Sequence, residues 1–273
     1  MSDEKQLVFI EETLRSAGDL VLGAFGERVT SSKKQDRGQI VTAVDLASEE
    51  RIIQHIAKKY PESSILAEES GYVLRNPEDV WVIDPIDGTS NFANGIPWFG
   101  IMVAHVVRGE SVASGIFLPV SNEIYVAEKE KGAYKNGKRM RVFMQKSLSE
   151  VLIAYGTDGS ERSYSYAAKG RLYEALIPKV LNLRCTNSAV DYAYAAEGKL
   201  GGLINLENRI WDIAPVIPIA TEAGCLVSDI EGGILDLRID KGTATKNFTL
   251  LLSSEPLYAE LLRISKPVFA ETG

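Results

Sequence analysis

Leu7, Ile10, Leu14, Ala17, Val21 and Ala24 recur at helical spacing, which predicts an opening amphipathic helix that ends near Gly26. The turn-prone stretch SSKKQDRGQ follows it. In IVTAVDLASEERIIQHIAKKYP the pattern passes from a short strand into a second helix, with Ile52, Ile53, Ile56 and Tyr60 on the inner side and Pro61 closing it. SSILAEES and DVWVIDP read as short apolar strands, and both release carboxylates at their C-terminal ends. From Trp98 onward a run of strands joined by Gly and Asn turns (PWFGIMVAHVV, SVASGIFLP, EIYVAEK, GAYKNGKRMRV) predicts an antiparallel sheet.

Beyond residue 147 strands and helices alternate: strand VLIAYG, a helix over Tyr164 to Ile177, strand NLRCT, a helix over Ala189 to Ala196, strand GGLIN, a helix after Asp212, strand TLLLSS and helix EPLYAELLRI. The expected fold is therefore α+β, an N-terminal α+β half (1–147) with an antiparallel sheet followed by a C-terminal α/β half (148–273). No flexible linker separates them, so the halves are expected to pack tightly.

The 273 residues are 45% hydrophobic and 25% charged, enough for a sizeable core. The N-terminal MSDEKQLVFIEETLRS is acidic early and has no apolar signal core. No apolar run approaches the roughly 20 residues a bilayer crossing needs. The reading is a cytoplasmic protein with no membrane partner. A net charge of −7 argues against a nucleic-acid partner, and the basic run Lys129 to Arg141 is broken by Gly132, Asn136 and Gly137, as a solvated hairpin would be. Cys185 and Cys225 suggest neither disulfide framework nor zinc site and read as small buried hydrophobes.

Carboxylates stand where apolar segments end: Asp45 after IVTAV, Glu68 and Glu69 after SSILA, Asp84 and Asp87 after VWVI, and Asp212 after Trp211. Taken singly, each has an ordinary reading. An Asp before a helix is an N-cap, an EE pair is a solvated turn, and Asp-Gly is a tight turn. Taken together, strand ends share a sheet edge, and several buried anions need compensation. An oxygen-only set without His or Cys suits Mg²⁺ better than zinc. The stretch after Asp87 does not alternate as a returning strand would and reads as a short helix from Thr89, with the N–H groups of Gly88, Thr89 and Ser90 placed to meet a phosphate. Thr89, if bonded to Asp45, could orient a water for in-line attack. His55 and His105 fall inside a helix and an apolar strand and read as structural.

These residues resemble the inositol monophosphatase family, within the lithium-sensitive, magnesium-dependent phosphatases that include fructose-1,6-bisphosphatases. The resemblance is carried by VTAVD (Val41 to Asp45), LAEES (Leu66 to Ser70), WVIDPIDGTSNFANGIP (Trp81 to Pro97) and WDIAPVIPIATEAG (Trp211 to Gly224), in the family's order. It implies an alternating αβαβα layered fold and commonly a homodimer. It also implies two or three Mg²⁺ ions held by Glu68, Asp84, the Ile86 carbonyl, Asp87 and Asp212, with Asp84 bridging two of them. Asp45, Glu68 and Thr89 would serve catalysis; Gly88, Thr89 and Ser90 would contact the phosphate.

The chain departs from the family's pattern on the alcohol side. The Glu expected to contact inositol falls, counting back without gaps from Trp211, on Asn205, and the small pocket turn falls on Thr186, Asn187 and Ser188. Asn can bond a hydroxyl but carries no charge. Pro215 suits a first helical turn, whereas Pro218 is expected to kink or delay the helix after Asp212. The leading expectation is a Mg²⁺-dependent phosphomonoesterase acting on a small-molecule polyol or sugar phosphate, by default inositol 1-phosphate. Fructose-1,6-bisphosphatase, histidinol phosphatase and nucleotide 3'-phosphatase are alternatives within that chemistry. A regulatory binding protein that kept the fold without turnover is the alternative of another class. A nuclease or glycosyltransferase using the DxxD pair lacks a basic channel and a nucleotide-binding Gly-rich fingerprint.

Overall fold

The computed structural model describes residues 4–27, 31–33, 40–145, 147–157, 164–240 and 242–270. Helices α1 (Glu4–Ala24) and α2 (Ala43–Lys59) occupy the two periodic N-terminal stretches. Between them β1 (Ser31–Lys33) pairs antiparallel with β2 (Ile40–Thr42). The first three residues of SSKKQDRGQ are thus a strand, not a turn, and the others lie outside the described residues.

The large sheet comprises β3 (Ser63–Ala67), β4 (Gly71–Val73), β5 (Asn76–Asp87), β6 (Gly100–Val107), β7 (Glu110–Leu118), β8 (Glu123–Glu128), β9 (Gly132–Lys135) and β10 (Lys138–Met140), in the order β10-β9-β8-β7-β6-β5-β3-β4. From β5 to β10 every pairing is antiparallel, and β3 with β5 is parallel. Asn136 and Gly137, both left-handed at φ 48 and 74, turn β9 into β10, so the basic segment is a hairpin.

Helix α3 (Thr89–Ala93) follows β5 directly. The second sheet, ordered β12-β11-β13-β15-β14, comprises β11 (Leu152–Gly156), β12 (Asn182–Arg184), β13 (Gly202–Asn208), β14 (Cys225–Ser228) and β15 (Phe248–Ser254). Helices α4 (Tyr166–Leu176), α5 (Ala189–Glu197), α6 (Ile210–Ile213), α7 (Val216–Ala223) and α8 (Glu255–Ala270) complete this half.

The period of two along buried strands sorts side chains into layers. On β5, Trp81 and Ile83 meet the outer helices α1 and α2 through Ile10, Leu14, Ile52 and Ile56; Val80 and Val82 face the opposite core. That opposite core holds α5 and α7 between the two sheets, and Leu250 and Leu252 of β15 close it from the far side. Leu251 points outward to a third core built with α4 and α8. The result is the expected αβαβα sandwich. Helix α5 is buried on nearly every side because a sheet covers both its faces, which is why AVDYAYAA carries so few polar residues.

Pro218 has the effect expected of it. The helix after Asp212 divides at Ala214 and Pro215 into α6 and α7, and Pro218 sits in the first turn of α7. Of the cysteines, Cys225 is a buried hydrophobe on β14, its thiol pushed up to about 12 by burial. Cys185 departs from expectation: it is exposed, on the loop after β12.

Candidate active site

Because β3 and β5 are parallel neighbours, their C-terminal ends bring Glu68 beside Asp84 and Asp87. Pro85 cannot donate to a sheet ladder, and the pairing of β5 with β6 shifts register between Asp84 and Asp87. The loosened backbone is held from within: Ile86 N–H donates to Asp84 Oδ1 at 3.1 Å, and Ser48 Oγ donates to the Pro85 carbonyl at 3.0 Å. Gly88 then turns left-handed at φ 96, and a Cβ there would stand 2.8 Å from both the Trp98 carbonyl and Ser188 Cβ. Only glycine meets both demands. Helix α3 begins at Thr89, so Asp87-Gly88 is not a hairpin turn.

Asp45 reconciles its two readings. Thr42 caps α2, and the Thr42 N–H and hydroxyl both donate to Asp45 Oδ2, completing a capping box. Its other oxygen, Oδ1, accepts Thr89 Oγ1 at 2.9 Å, the contact anticipated from the sequence. The same threonine hydroxyl lies 2.8 Å from the Ile86 carbonyl. Asp212 is built alike: in the first turn of α6 it accepts the Arg209 N–H at 2.6 Å.

Two positioning acids escaped the sequence reading. Glu49, buried on α2, accepts Glu69 N–H and Ser70 N–H, each at 2.8 Å, and so clamps the turn that carries Glu68. It stands four residues after Asp45 on one helix face, which was the available signal. Asp191 accepts Thr186 N–H at 2.9 Å and Asn187 N–H at 3.0 Å. Burial pushes the Asp191 carboxyl up, against the downward pull of those bonds. Asn91 donates to the carbonyls of Trp98 and Thr186 and so ties the two halves together at the site.

A cavity of about 150 Å³ opens where these elements meet. All the sequence-predicted site residues line it except Asp45 and Thr186, which stand behind the wall. Asn205 lines it too, but its side chain is committed elsewhere: Nδ2 donates to Tyr192 OH at 2.8 Å and Oδ1 accepts Glu207 N–H at 3.1 Å. Glu207, not singled out from the sequence, is the further carboxylate in the wall. Tyr192 OH in turn donates to Asn208 Oδ1 at 2.6 Å. His105, by contrast, stacks on Trp81 and bonds Asp79 and Gln6 away from the cavity.

Among the described residues no group of three or more His, Cys, Asp or Glu side chains is already arranged as a metal cage. The donor chemistry nevertheless fits a hard divalent cation. Glu68, Asp84, Asp87, Asp212 and the Ile86 carbonyl offer only oxygen, and among the described residues lining the cavity there is no His or Cys.

The layered αβαβα fold with an acidic cavity at the joined strand ends defines a class of phosphatase scaffold, and comparison with known proteins agrees. Residues 3–265 match the sequence model of the Inositol monophosphatase family, and the chain belongs to that family. It is 31% identical to a fructose-1,6-bisphosphatase/inositol-1-monophosphatase of Thermotoga maritima over 98% of each chain. It is 34% identical to the Nus factor SuhB of Escherichia coli, over 80% of this chain and 83% of that one. Among solved structures, an IMPase of Thermotoga maritima superposes with a TM-score of 0.86 at 30% identity, covering 98% of this chain and 100% of the other.

Proposed function

We propose that this protein is a Mg²⁺-dependent phosphomonoesterase that hydrolyses a small polyol or sugar phosphate, with inositol 1-phosphate the first substrate to test. The observation that carries the reading is the Asp45–Thr89 hydrogen bond at the edge of a cavity whose lining includes the carboxylates of Glu68, Asp84, Asp87 and Asp212. Glu68, Asp84, the Ile86 carbonyl, Asp87 and Asp212 would hold two or three Mg²⁺ ions, which when bound neutralise phosphate charge and acidify a coordinated water.

The chain's own groups do the positioning. Thr89 gives its hydroxyl hydrogen to Asp45, so its oxygen lone pairs are left to accept a hydrogen from water and aim that water in line. Asp45, fully buried, is the base behind it. The N–H groups of Gly88, Thr89 and Ser90 meet the phosphate oxygens, and Thr186 to Ser188 shape the alcohol side. The protein is proposed to act in the cytoplasm as a homodimer.

The test is phosphate release, with Mg²⁺ added, from a panel of inositol, fructose, glycerol and histidinol phosphates. Release from at least one of them that stops on chelation supports the reading, and none from any of them ends it. A relative named fructose-1,6-bisphosphatase/inositol-1-monophosphatase keeps fructose 1,6-bisphosphate on the panel. Likeness to proteins named Nus factor favours a second reading, a regulatory binding protein. Tight partner binding by a protein that is inactive with Mg²⁺ would select it.

A further inference from the structure

Asn91 stands on α3, the helix that also bears Thr89 and Ser90, and its side chain bonds two carbonyls. Nδ2 has two hydrogens: one goes to Trp98 O at 2.7 Å, the other to Thr186 O at 2.8 Å. The first acceptor lies in the N-terminal half, packed against Gly88. The second opens the turn Thr186 to Ser188 in the C-terminal half, whose Asn187 and Ser188 line the cavity. That turn needs holding. Asn187 is left-handed at φ 52, a conformation that a residue with a Cβ keeps where its surroundings fix it. On its own side the turn is tied to α5, since Asp191 accepts the N–H groups of Thr186 and Asn187, and Thr186 Oγ1 lies 2.8 Å from Ser188 Oγ. The Asn91 amide adds a tie to the other half, reaching across the site.

We infer that Asn91 is a positioning residue that holds the turn Thr186 to Ser188 in register with the phosphate end of the cavity, so that phosphate binding is felt at the turn. This rests on the phosphatase reading above and adds to it a link between the two ends of the site. With both amide hydrogens given to backbone, Asn91 acts through the Thr186 carbonyl and not on the ester itself. A bound ester spans both ends, its phosphate at Gly88 to Ser90 and its alcohol at the turn, so a turn displaced by about 1 Å loses alignment with it. Inorganic phosphate occupies only the first end. Cys185 offers a reporter, because it directly precedes the turn and is exposed. Cys225, the chain's other cysteine, is buried, with its thiol pushed up to about 12, and reacts slowly while the fold is intact.

The experiment follows modification of Cys185 by 5,5'-dithiobis(2-nitrobenzoic acid) in the parent, in Asn91→Ala and in Asn91→Leu, which keeps the bulk of the side chain without its donors. Mg²⁺ with inorganic phosphate is expected to slow the parent's reaction by about threefold or more. In the variants the reaction without phosphate is faster than the parent's, and phosphate leaves it within about twofold. Kinetics supply a second readout: KM for the ester that the parent hydrolyses best rises about fivefold or more in the variants, while the inhibition constant of inorganic phosphate stays within about twofold. A loss of folded molecules would lower kcat and move neither constant. A variant in which two thiols react at once has unfolded, and the parent's own response to phosphate then decides. Phosphate that inhibits the parent without slowing Cys185, protection that persists in a folded variant, or an unchanged KM each overturn the inference. A parent that hydrolyses no ester of the panel instead sinks the phosphatase reading, and this one with it.

Discussion

A hydroxyl has one hydrogen, and Thr89 offers its single one to two acceptors, Asp45 Oδ1 and the Ile86 carbonyl. Removing the hydroxyl therefore removes both bonds, and with them the group proposed to aim the water, without touching the hydrophobic cores. Thr89→Ala is expected to lower kcat by about a hundredfold or more, whereas Thr89→Ser keeps the hydroxyl and most of the rate. Equal losses in both variants, measured as phosphate release, would refute the hydroxyl's part. Asp87→Asn makes the complementary case: turnover nearly vanishes, while the melting temperature holds or rises slightly, because one of several like charges has gone. A steep fall in melting temperature without added metal would show Asp87 to be a structural cap. Gly88 fails in a third way. At φ 96, with 2.8 Å to the Trp98 carbonyl, Gly88→Ala should cost about 1–3 kcal/mol in chemical denaturation, and a neutral result would contradict the geometry.

Elements inherit such local conflicts, and the α6–α7 break is the clearest. Pro218 has no N–H for the carbonyl four residues earlier, that of Ala214, and β7 supplies the substitute: Ser111 Oγ donates to Ala214 O at 2.7 Å. Ser114 Oγ likewise donates to Pro215 O at 2.6 Å. Ser111→Ala should then cost about 1–3 kcal/mol by stranding a buried carbonyl. Pro218→Ala restores an N–H, so the double variant should recover part of that loss; strictly additive urea-unfolding results would deny the link. Such a helix division was legible in the prolines, and the opening helix in the spacing of Leu7 to Ala24, whereas the five layers were implied by the resemblance to the family. What escaped reading has physical causes. β14 is an edge strand with Leu226 exposed and no clean alternation, so CLVS did not announce itself. β13 shifts register between Asn205 and Asn208, and a count back from Trp211 that assumes regular chain cannot tell which carboxylate or amide reaches the cavity. Glu49 receives backbone N–H groups from a turn 20 residues away, so its place beside Asp45 on the helix face names no partner, whereas Asp191 receives those of Asn187 and Thr186, 4 and 5 residues before it, at a helix start whose acid reads as an ordinary cap.

For the whole molecule, joining the large sheet to the central helix layer depends on charge as well as on apolar packing. Lys135 on β9 lies 2.5 Å from Glu123 of β8 and 2.7 Å from Glu197 of α5. Lys199 closes the ring at 2.9 Å and 3.1 Å from the same two acids, and Tyr125 OH donates to Glu197 at 2.9 Å. Burial works to raise the Glu123 carboxyl, but hydrogen bonds from Lys135 and Lys199 outweigh it and hold the group at about 2. Glu197 is lowered in the same way, burial being outweighed by Lys135, Tyr125 and Lys199. A carboxyl held lower in the folded state than in the unfolded chain stabilises the fold above its unfolded pKa, about 4.3 for Glu, and that contribution disappears as pH falls toward about 2. Urea midpoints of the parent should therefore drop through this window, and those of Glu123→Gln should begin lower and drop less. Parallel curves for the two proteins would mean that the ring of Lys135, Glu123, Lys199 and Glu197 does not couple sheet to helix layer, and that acid lability arises elsewhere, for instance in the carboxylates around the cavity.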